Sequence, residues 1–271
     1  MRRFMANAAV AALVAFGGIT GITASSDKAE ATIINLGFAI DSSGSVGSSG
    51  WNTQITGLAA ALDSIPTSGA NQYRVGVVAF NSGARTLVSP TIVTAGNIAG
   101  IKTAITTAAF SSGGTFIGAG INRLVSDFNG AGYLASETSL MNVTTDGISL
   151  PTSDAAARDA ALLAGWEGIS AECILVCANE NSVGSQRLLN TVVSPVPALF
   201  VTNTNALPNP LTQSFVLKIN TFDDYEAAIK AKVGKIVTDT GGGPTVVPLP
   251  AGLPLLLGGL SVLYAVRRKT A

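Results

Sequence analysis

Histidine is absent from all 271 residues of the chain. That single gap excludes Ser-His-Asp and Cys-His catalysis, H-E-x-x-H zinc sites and imidazole general bases. There is no G-K-[ST] phosphate loop and no G-x-G-x-x-G fingerprint after a strand, so the common nucleotide cradles are missing as well. Charge is scarce: Asp, Glu, Lys and Arg make up 12% of the chain, balanced at 16 basic and 16 acidic residues. Low charge with abundant Ala, Ser, Thr and Gly suits a secreted surface protein better than a cytosolic enzyme. Cysteine occurs only at Cys173 and Cys177. In the strand-like run Glu172-Cys173-Ile174-Leu175-Val176-Cys177, an extended backbone would hold their Cα atoms about 13 Å apart. A bridge needs less than about 7 Å. A disulfide therefore requires a sharp turn after Cys173; two buried thiols or an intermolecular role are the alternatives.

What is present is most organised at the two ends. Met1-Arg2-Arg3 is a basic start, residues 8–22 carry no charge, and Ala29-Glu30-Ala31 supplies an A-x-A site. This is the layout of a secretory signal peptide over residues 1–31, with Thr32 as the first mature residue. Export also makes a disulfide chemically permissible. Residues 239–246, opening with Asp239-Thr240-Gly241-Gly242-Gly243-Pro244, read as a flexible Gly-rich linker. Val247-Pro248-Leu249-Pro250-Ala251 follows, and residues 246–266 form a run of 21 uncharged residues. At about 1.5 Å per residue that run is long enough to span a bilayer as a helix. Arg267-Arg268-Lys269 would stay cytoplasmic by the positive-inside rule. With both ends set aside, six cations and two acids go with them. The remainder holds 10 basic and 14 acidic residues, a net charge of about −4, which argues against nucleic acid as a partner.

Between the ends the pattern alternates as a parallel α/β unit should. Strands are expected over 33–41, 73–80, 85–88, 140–145, 169–176 and 198–202. The third follows Asn81-Ser82-Gly83, a tight turn that suggests an antiparallel edge hairpin. Helices are expected over 51–65, 95–106, 116–128, 153–164 with Ser153 as N-cap, 185–193 and 222–237. Six strands and about six helices thus make one domain, residues 32–238. Residues 203–217, with Pro208 and Pro210, read as a long irregular excursion, either a variable binding loop or a hairpin without function.

The most informative stretch closes the first strand. Residues 33–40 are mostly apolar and end abruptly in Asp41-Ser42-Ser43-Gly44-Ser45. A buried parallel strand that delivers a carboxylate and hydroxyls to its C-terminal end places them where ligands sit in open α/β sheets. Oxygen donors of this kind suit a hard divalent cation. Two later loops add weight: Gly113-Gly114-Thr115 before a helical pattern, and Thr144-Thr145-Asp146-Gly147 ending another apolar run.

Together the three loops resemble the von Willebrand factor type A family over nearly the whole mature domain. The resemblance implies a doubly wound, Rossmann-like six-stranded sheet ordered 3-2-1-4-5-6 with strand 3 antiparallel. It also implies a metal-ion-dependent adhesion site in which Asp41, Ser43, Ser45, Thr115 and Asp146 hold a divalent cation. Mg²⁺ is the first expectation, with Mn²⁺ or Ca²⁺ as alternatives. Two carboxylates against one divalent ion leave the site neutral and short of ligands, so a partner's Asp or Glu could complete it. The bland alternative is that Ser43, Ser45 and Thr115 only cap the helices that follow. Asn81, Glu137 and Asp154 are assigned to solvated surface near the same rim.

The tail resembles the VPLPA variant of PEP-CTERM sorting signals, over residues 247–271. That resemblance implies cutting by an exosortase-type membrane peptidase in a Gram-negative bacterium, after transient anchoring through the C-terminal helix; a permanent membrane anchor is the alternative. The combined expectation is a non-enzymatic binding module, exported to the cell surface or extracellular matrix, whose partner offers an acidic group on a protein or polysaccharide. A Mg²⁺-dependent phosphoryl-transfer enzyme with Asp41 as nucleophile is a second reading. It is disfavoured because Ser43 stands where such enzymes place a second aspartate. A passive matrix protein with a structural metal site is the third.

Overall fold

The computed structural model describes residues 32–149 and 151–241. The signal-peptide reading (1–31) and the sorting-signal reading (247–271) lie outside the described residues. Among the described residues no helix is long and apolar enough to cross a membrane.

In chain order the first half comprises β1 (Thr32–Asp41), α1 (Gly47–Ala61), β2 (Asn71–Phe80), β3 (Ala84–Ile92), α2 (Ile98–Thr106) and α3 (Ile117–Gly130). The second half comprises β4 (Thr138–Thr145), α4 (Pro151–Leu163), β5 (Gly168–Ile174), α5 (Val183–Arg187), β6 (Leu199–Val201), β7 (Phe215–Ile219) and α6 (Tyr225–Asp239). The sheet is ordered β3-β2-β1-β4-β5-β7-β6. Every neighbouring pair is parallel except β2 and β3, which are antiparallel as the Asn81-Ser82-Gly83 turn suggested.

The sheet has seven strands, not six. The additional strand is β7, which lies between β5 and β6 and so interrupts the expected order 3-2-1-4-5-6. Pro208 and Pro210 drew the expected irregular segment too far along the chain. The prolines end at 210, and Phe215, Val216, Leu217 and Ile219 then form a β-type run that is buried. Residues 203–214 are the return connection from the three-residue edge strand β6, with a single 3₁₀ turn over Thr204–Ala206. Smaller shifts follow from cap chemistry. α4 begins at Pro151, a residue suited to a first turn, so Ser153 lies inside that turn rather than at the N-cap. The single helix expected over 185–193 is α5 followed by a π-helical turn, Leu188–Val192.

β1 lies between β2 and β4 along its length, and every residue from Ile34 to Asp41 is buried. Its alternate side chains feed two cores. Leu36, Phe38 and Ile40 pack with Trp51, Leu58, Tyr225, Ile229 and Val233 of α1 and α6. Ala39 faces the other core, where Ile117, Ile121, Leu124 and Phe128 of α3 meet Trp166, Met141 and Val143. Gly37 and Gly76 are register partners that make room for this second core. A Cβ on Gly37 would stand 2.9 Å from the Trp166 ring, and one on Gly76 would stand 2.5 Å from Phe128. Phe128 and Trp166 then meet edge to face with centroids 4.9 Å apart.

The sharp turn after Cys173 exists. Leu175 adopts φ 64°, and Val176 N donates to Ile174 O at 2.7 Å. Cys173 and Cys177 come to a Cα separation of 5.8 Å and are joined as a disulfide. At the opposite end of the sheet, Asn71 Nδ2 donates to Thr240 O at 2.6 Å, and the Tyr73 hydroxyl meets Thr240 Oγ1 at 2.9 Å. The end of α6 is thereby fastened beside the start of β1, where Thr32 pairs with Asn71.

Candidate metal centre

Parallel pairing sets the C-terminal ends of β1 and β4 side by side, with Ile40 opposite Thr144. Asp41 therefore emerges next to Thr145, with Asp146 one residue beyond. The loop after Asp41 turns on its own carboxylate: Ser43 N donates to Asp41 Oδ1 at 2.7 Å. The second carboxylate oxygen, Oδ2, accepts from Thr145 Oγ1 at 2.6 Å. Ser43 Oγ and Ser45 Oγ lie 3.1 Å apart, and Ser45 Oγ donates to Asp146 Oδ1 at 2.7 Å. Four of the five expected residues thus form one hydrogen-bonded chain. Thr115 arrives from the second loop, which docks through Gly44 N donating to Gly113 O at 2.9 Å. Thr115 presses against Gly147, where a Cβ would stand 2.7 Å from its Oγ1, so only glycine fits beside Asp146.

Asn81 and Ser42 hold that second loop in place. Asn81 Nδ2 donates to Ser112 O at 2.6 Å and to Ser111 Oγ at 3.0 Å. Ser42 Oγ donates to Phe80 O at 3.0 Å and lies 3.0 Å from Ser111 Oγ. The loop carries Ser112 at φ 48° and Gly113 at φ 128°, backbone that needs such anchoring. Helix capping does not explain the serines or the threonine. The N-caps of α1 and α3 are Val46 and Phe116, and neither helix start receives a side-chain cap bond from its N-cap.

The three residues assigned to solvated surface behave otherwise. Asp154 is buried and accepts from Gly118 N and Ser149 Oγ, both at 2.9 Å, while Ser149 Oγ accepts from Ile117 N at 3.1 Å. The start of α3, just past Thr115, is therefore fixed by a carboxylate from α4, where the helix dipole favours it. Glu137 lies at the other end of the sheet, paired to Arg74 at 2.7 Å and accepting from Asn35 Nδ2 at 3.0 Å. Asn81 is a loop fastener.

The electrostatics match a cation site. Asp41, Ser43 and Asp146 are buried, whereas Ser45 is exposed and Thr115 half-buried, so the acids sit at the bottom of an opening. Burial pushes the Asp41 carboxyl up to about 6, against hydrogen bonds from Ser43 and Thr145, and the charge of Asp146 adds to the rise. Burial raises Asp146 as well, opposed by Ser45. Among the described residues no Lys or Arg forms an ion pair with either carboxylate. No third His, Cys, Asp or Glu among them joins the pair in a metal-holding group, so the remaining donors are neutral hydroxyls. Two uncompensated carboxylates with three hydroxyls fit a hard divalent ion. The residue missed from sequence is Thr145. Its signal was parallel register: the residue beside a strand-end aspartate on the neighbouring strand is placed to hydrogen-bond it.

The family model for the von Willebrand factor type A domain matches residues 35–211. The chain belongs to the von Willebrand factor type A domain family. A search of curated proteins finds no match. Among solved structures, proximal thread matrix protein 1 from the mussel byssus aligns with TM-score 0.55 and 19% identity, covering 76% of this chain and 48% of that one. The same protein with a zinc-occupied MIDAS motif aligns with TM-score 0.53 and 18% identity, covering 75% and 46%. The pilus adhesin SpaC from Lactobacillus rhamnosus GG, in its open conformation, aligns with TM-score 0.53 and 13% identity, covering 77% and 30%. At these identities the likeness is one of fold. The chain spans about half the length of the mussel protein and under a third of the adhesin.

Proposed function

We propose that this von Willebrand factor type A domain is a non-enzymatic, metal-dependent binding module displayed at or released from the cell surface. Asp41, Ser43, Ser45, Thr115 and Asp146 would hold a divalent cation, Mg²⁺ first. The observation that carries the reading is the buried Asp41–Asp146 pair, linked through Ser45 and, among the described residues, without an ion pair to any Lys or Arg. When bound, the ion supplies positive charge and an open coordination position for an acidic ligand. The chain's own work is to orient the donors. Thr145 and Ser43 N fix the two oxygens of Asp41, Ser45 fixes Asp146, and the Asn81-anchored loop delivers Thr115. The proposed partner is an acidic group of a protein or polysaccharide. The zinc-occupied MIDAS motif of the mussel matrix protein and the name of the pilus adhesin support this direction. Export rests on residues 1–31. Processing at residues 247–251 by an exosortase-type peptidase, after passage through a membrane-spanning stage, rests on the sorting-signal resemblance.

The test is retention of the purified domain on extracellular polymers and surface proteins. EDTA should abolish retention, and folded Asp41→Ala should behave as wild type in EDTA does. Equal retention of the folded variant without EDTA would overturn the metal-dependent mechanism.

A further inference from the structure

Further down β4, beneath α6, three side chains that can react with one another are sealed together. Asn142 (β4), Glu172 (β5) and Lys232 (α6) are 4%, 0% and 2% exposed. Lys232 Nζ donates to Asn142 Oδ1 and to Glu172 Oε1 at 2.9 Å. The other glutamate oxygen, Oε2, accepts from Asn142 Nδ2 at 2.5 Å and from Thr144 Oγ1 at 3.1 Å. Register makes this arrangement: Thr144 pairs with Glu172, so Asn142 shares its face of the sheet, the face that α6 covers. The Phe215 ring closes one side, 4.9 Å from Nζ. An ion pair would need only the amine and the carboxylate. Here an amide completes a triangle in which each group touches the other two.

We propose that Lys232 and Asn142 join in an intramolecular isopeptide bond, with Glu172 as the catalytic acid and base. Proton transfer from the ammonium to Glu172 turns the pair into a neutral amine and a carboxylic acid. Nζ then attacks Cγ of Asn142 and forms the new C–N bond. Glu172 takes a proton from Nζ and returns one to Nδ2, the Cγ–Nδ2 bond breaks, and ammonia leaves. The remaining proton stays on Glu172 as a neutral carboxylic acid, because the amide that forms leaves no ammonium to pair with a carboxylate there, so atoms and charge balance with no oxidant or co-reactant. Burial drives the Lys232 ammonium toward its neutral form, although the charge of Glu172 opposes this. Positioning replaces activation, since reactive groups held in contact reach very high effective concentrations. A cavity of about 10 Å³, lined by Asn142, Ser170, Lys232 and Ile236 among others, borders the triangle and has room for one molecule of ammonia's size. Leu36, Phe38 and Leu140 give that cavity apolar walls that disfavour competing hydrolysis.

Mass spectrometry of the full chain as purified decides the matter. The expected result is a branched tryptic species joining the Asn142 and Lys232 peptides, uncut at Lys232 and lighter by about 17 Da through loss of one ammonia. Separate peptides with free Lys232 and intact Asn142 would overturn the proposal, and that measurement needs no variant. Glu172→Gln should slow the appearance of the branched species by at least about 100-fold. Undiminished cross-linking in that variant would remove Glu172 from the reaction. EDTA should leave the cross-link unchanged, which separates this chemistry from the metal centre.

Discussion

The domain buries carboxylates in two places and treats them in opposite ways. Beneath α6, Glu172 is met by its own lysine at 2.9 Å and by an amide and a hydroxyl, so its charge is answered inside the protein. At the strand ends, Asp41 and Asp146 are met by hydroxyls and backbone but by no cationic side chain among the described residues. Desolvation acts on both clusters. One is closed by the chain itself, and the other leaves its neutralisation to something from outside. A self-answered cluster serves the fold, and in the proposed function the unanswered one serves a ligand. Removing a charge should therefore have opposite consequences for stability in the two places.

The largest effect is expected in the closed cluster. Lys232→Met leaves Glu172 without the lysine it pairs with before cross-linking, a change that destabilises by about 3–5 kcal/mol relative to the uncross-linked chain, with loss of the cross-link added to it. Urea unfolding at neutral pH measures it. A change under about 1 kcal/mol would show that the cluster is less sealed than its burial indicates.

The open cluster should show the reverse sign. With its folded-state carboxyl raised from 3.8 to about 6, Asp41 takes a proton more readily in the folded chain than in the unfolded one. Its contribution in metal-free protein is thus most favourable below about pH 4 and is lost as pH rises through about 6. Asp41→Asn does not titrate and keeps an acceptor for Ser43 N. In EDTA at pH 7 it should be more stable than wild type by about 2–3 kcal/mol, with the gap closing by pH 4. A variant less stable than wild type at pH 7 would sink the idea that this site is held at the expense of stability.

The smallest effect concerns the outer support. Thr145→Val removes the hydroxyl that fixes Asp41 Oδ2 without touching a charge. Calorimetric titration with Mg²⁺ should show affinity weaker by about 10–100-fold. Ser43→Ala should weaken binding less than Asp41→Ala does, since water can replace a neutral donor. Equal losses in the two would point to a rigid requirement for the serine.

Legibility from sequence followed the strength of local signals. Residues 33–40 announced a buried strand through a mostly apolar run, and the three loops announced a candidate site through oxygen-bearing side chains at two strand ends and before a helix. Strand β7 was obscured because Pro208 and Pro210 signal irregular backbone, and five strand residues just beyond them are too few to show a period. The turn at Leu175 could only be named as the condition for a disulfide, since nothing in a leucine foretells φ 64°. Asp154 and Glu137 were misplaced for a common reason. Polarity predicts exposure until a tertiary partner is known, and their partners lie 36 and 63 residues away, at Gly118 and Arg74.

The fastening of Thr240 to Asn71 and Tyr73 has a mechanical consequence. The described chain both enters and leaves at that end of the sheet, while the acids open at the other. Were the domain held by the chain beyond Gly241, as the sorting-signal resemblance implies, the opening would face away from the point of attachment. A pull between the two ends would run parallel to β1, which is hydrogen-bonded on both sides to parallel neighbours. Those bonds lie across the pull and share the load in shear, instead of parting one by one like a zip. The direction in which the strands run thus sets the two buried acids and the exit of the described chain at opposite ends of one strut.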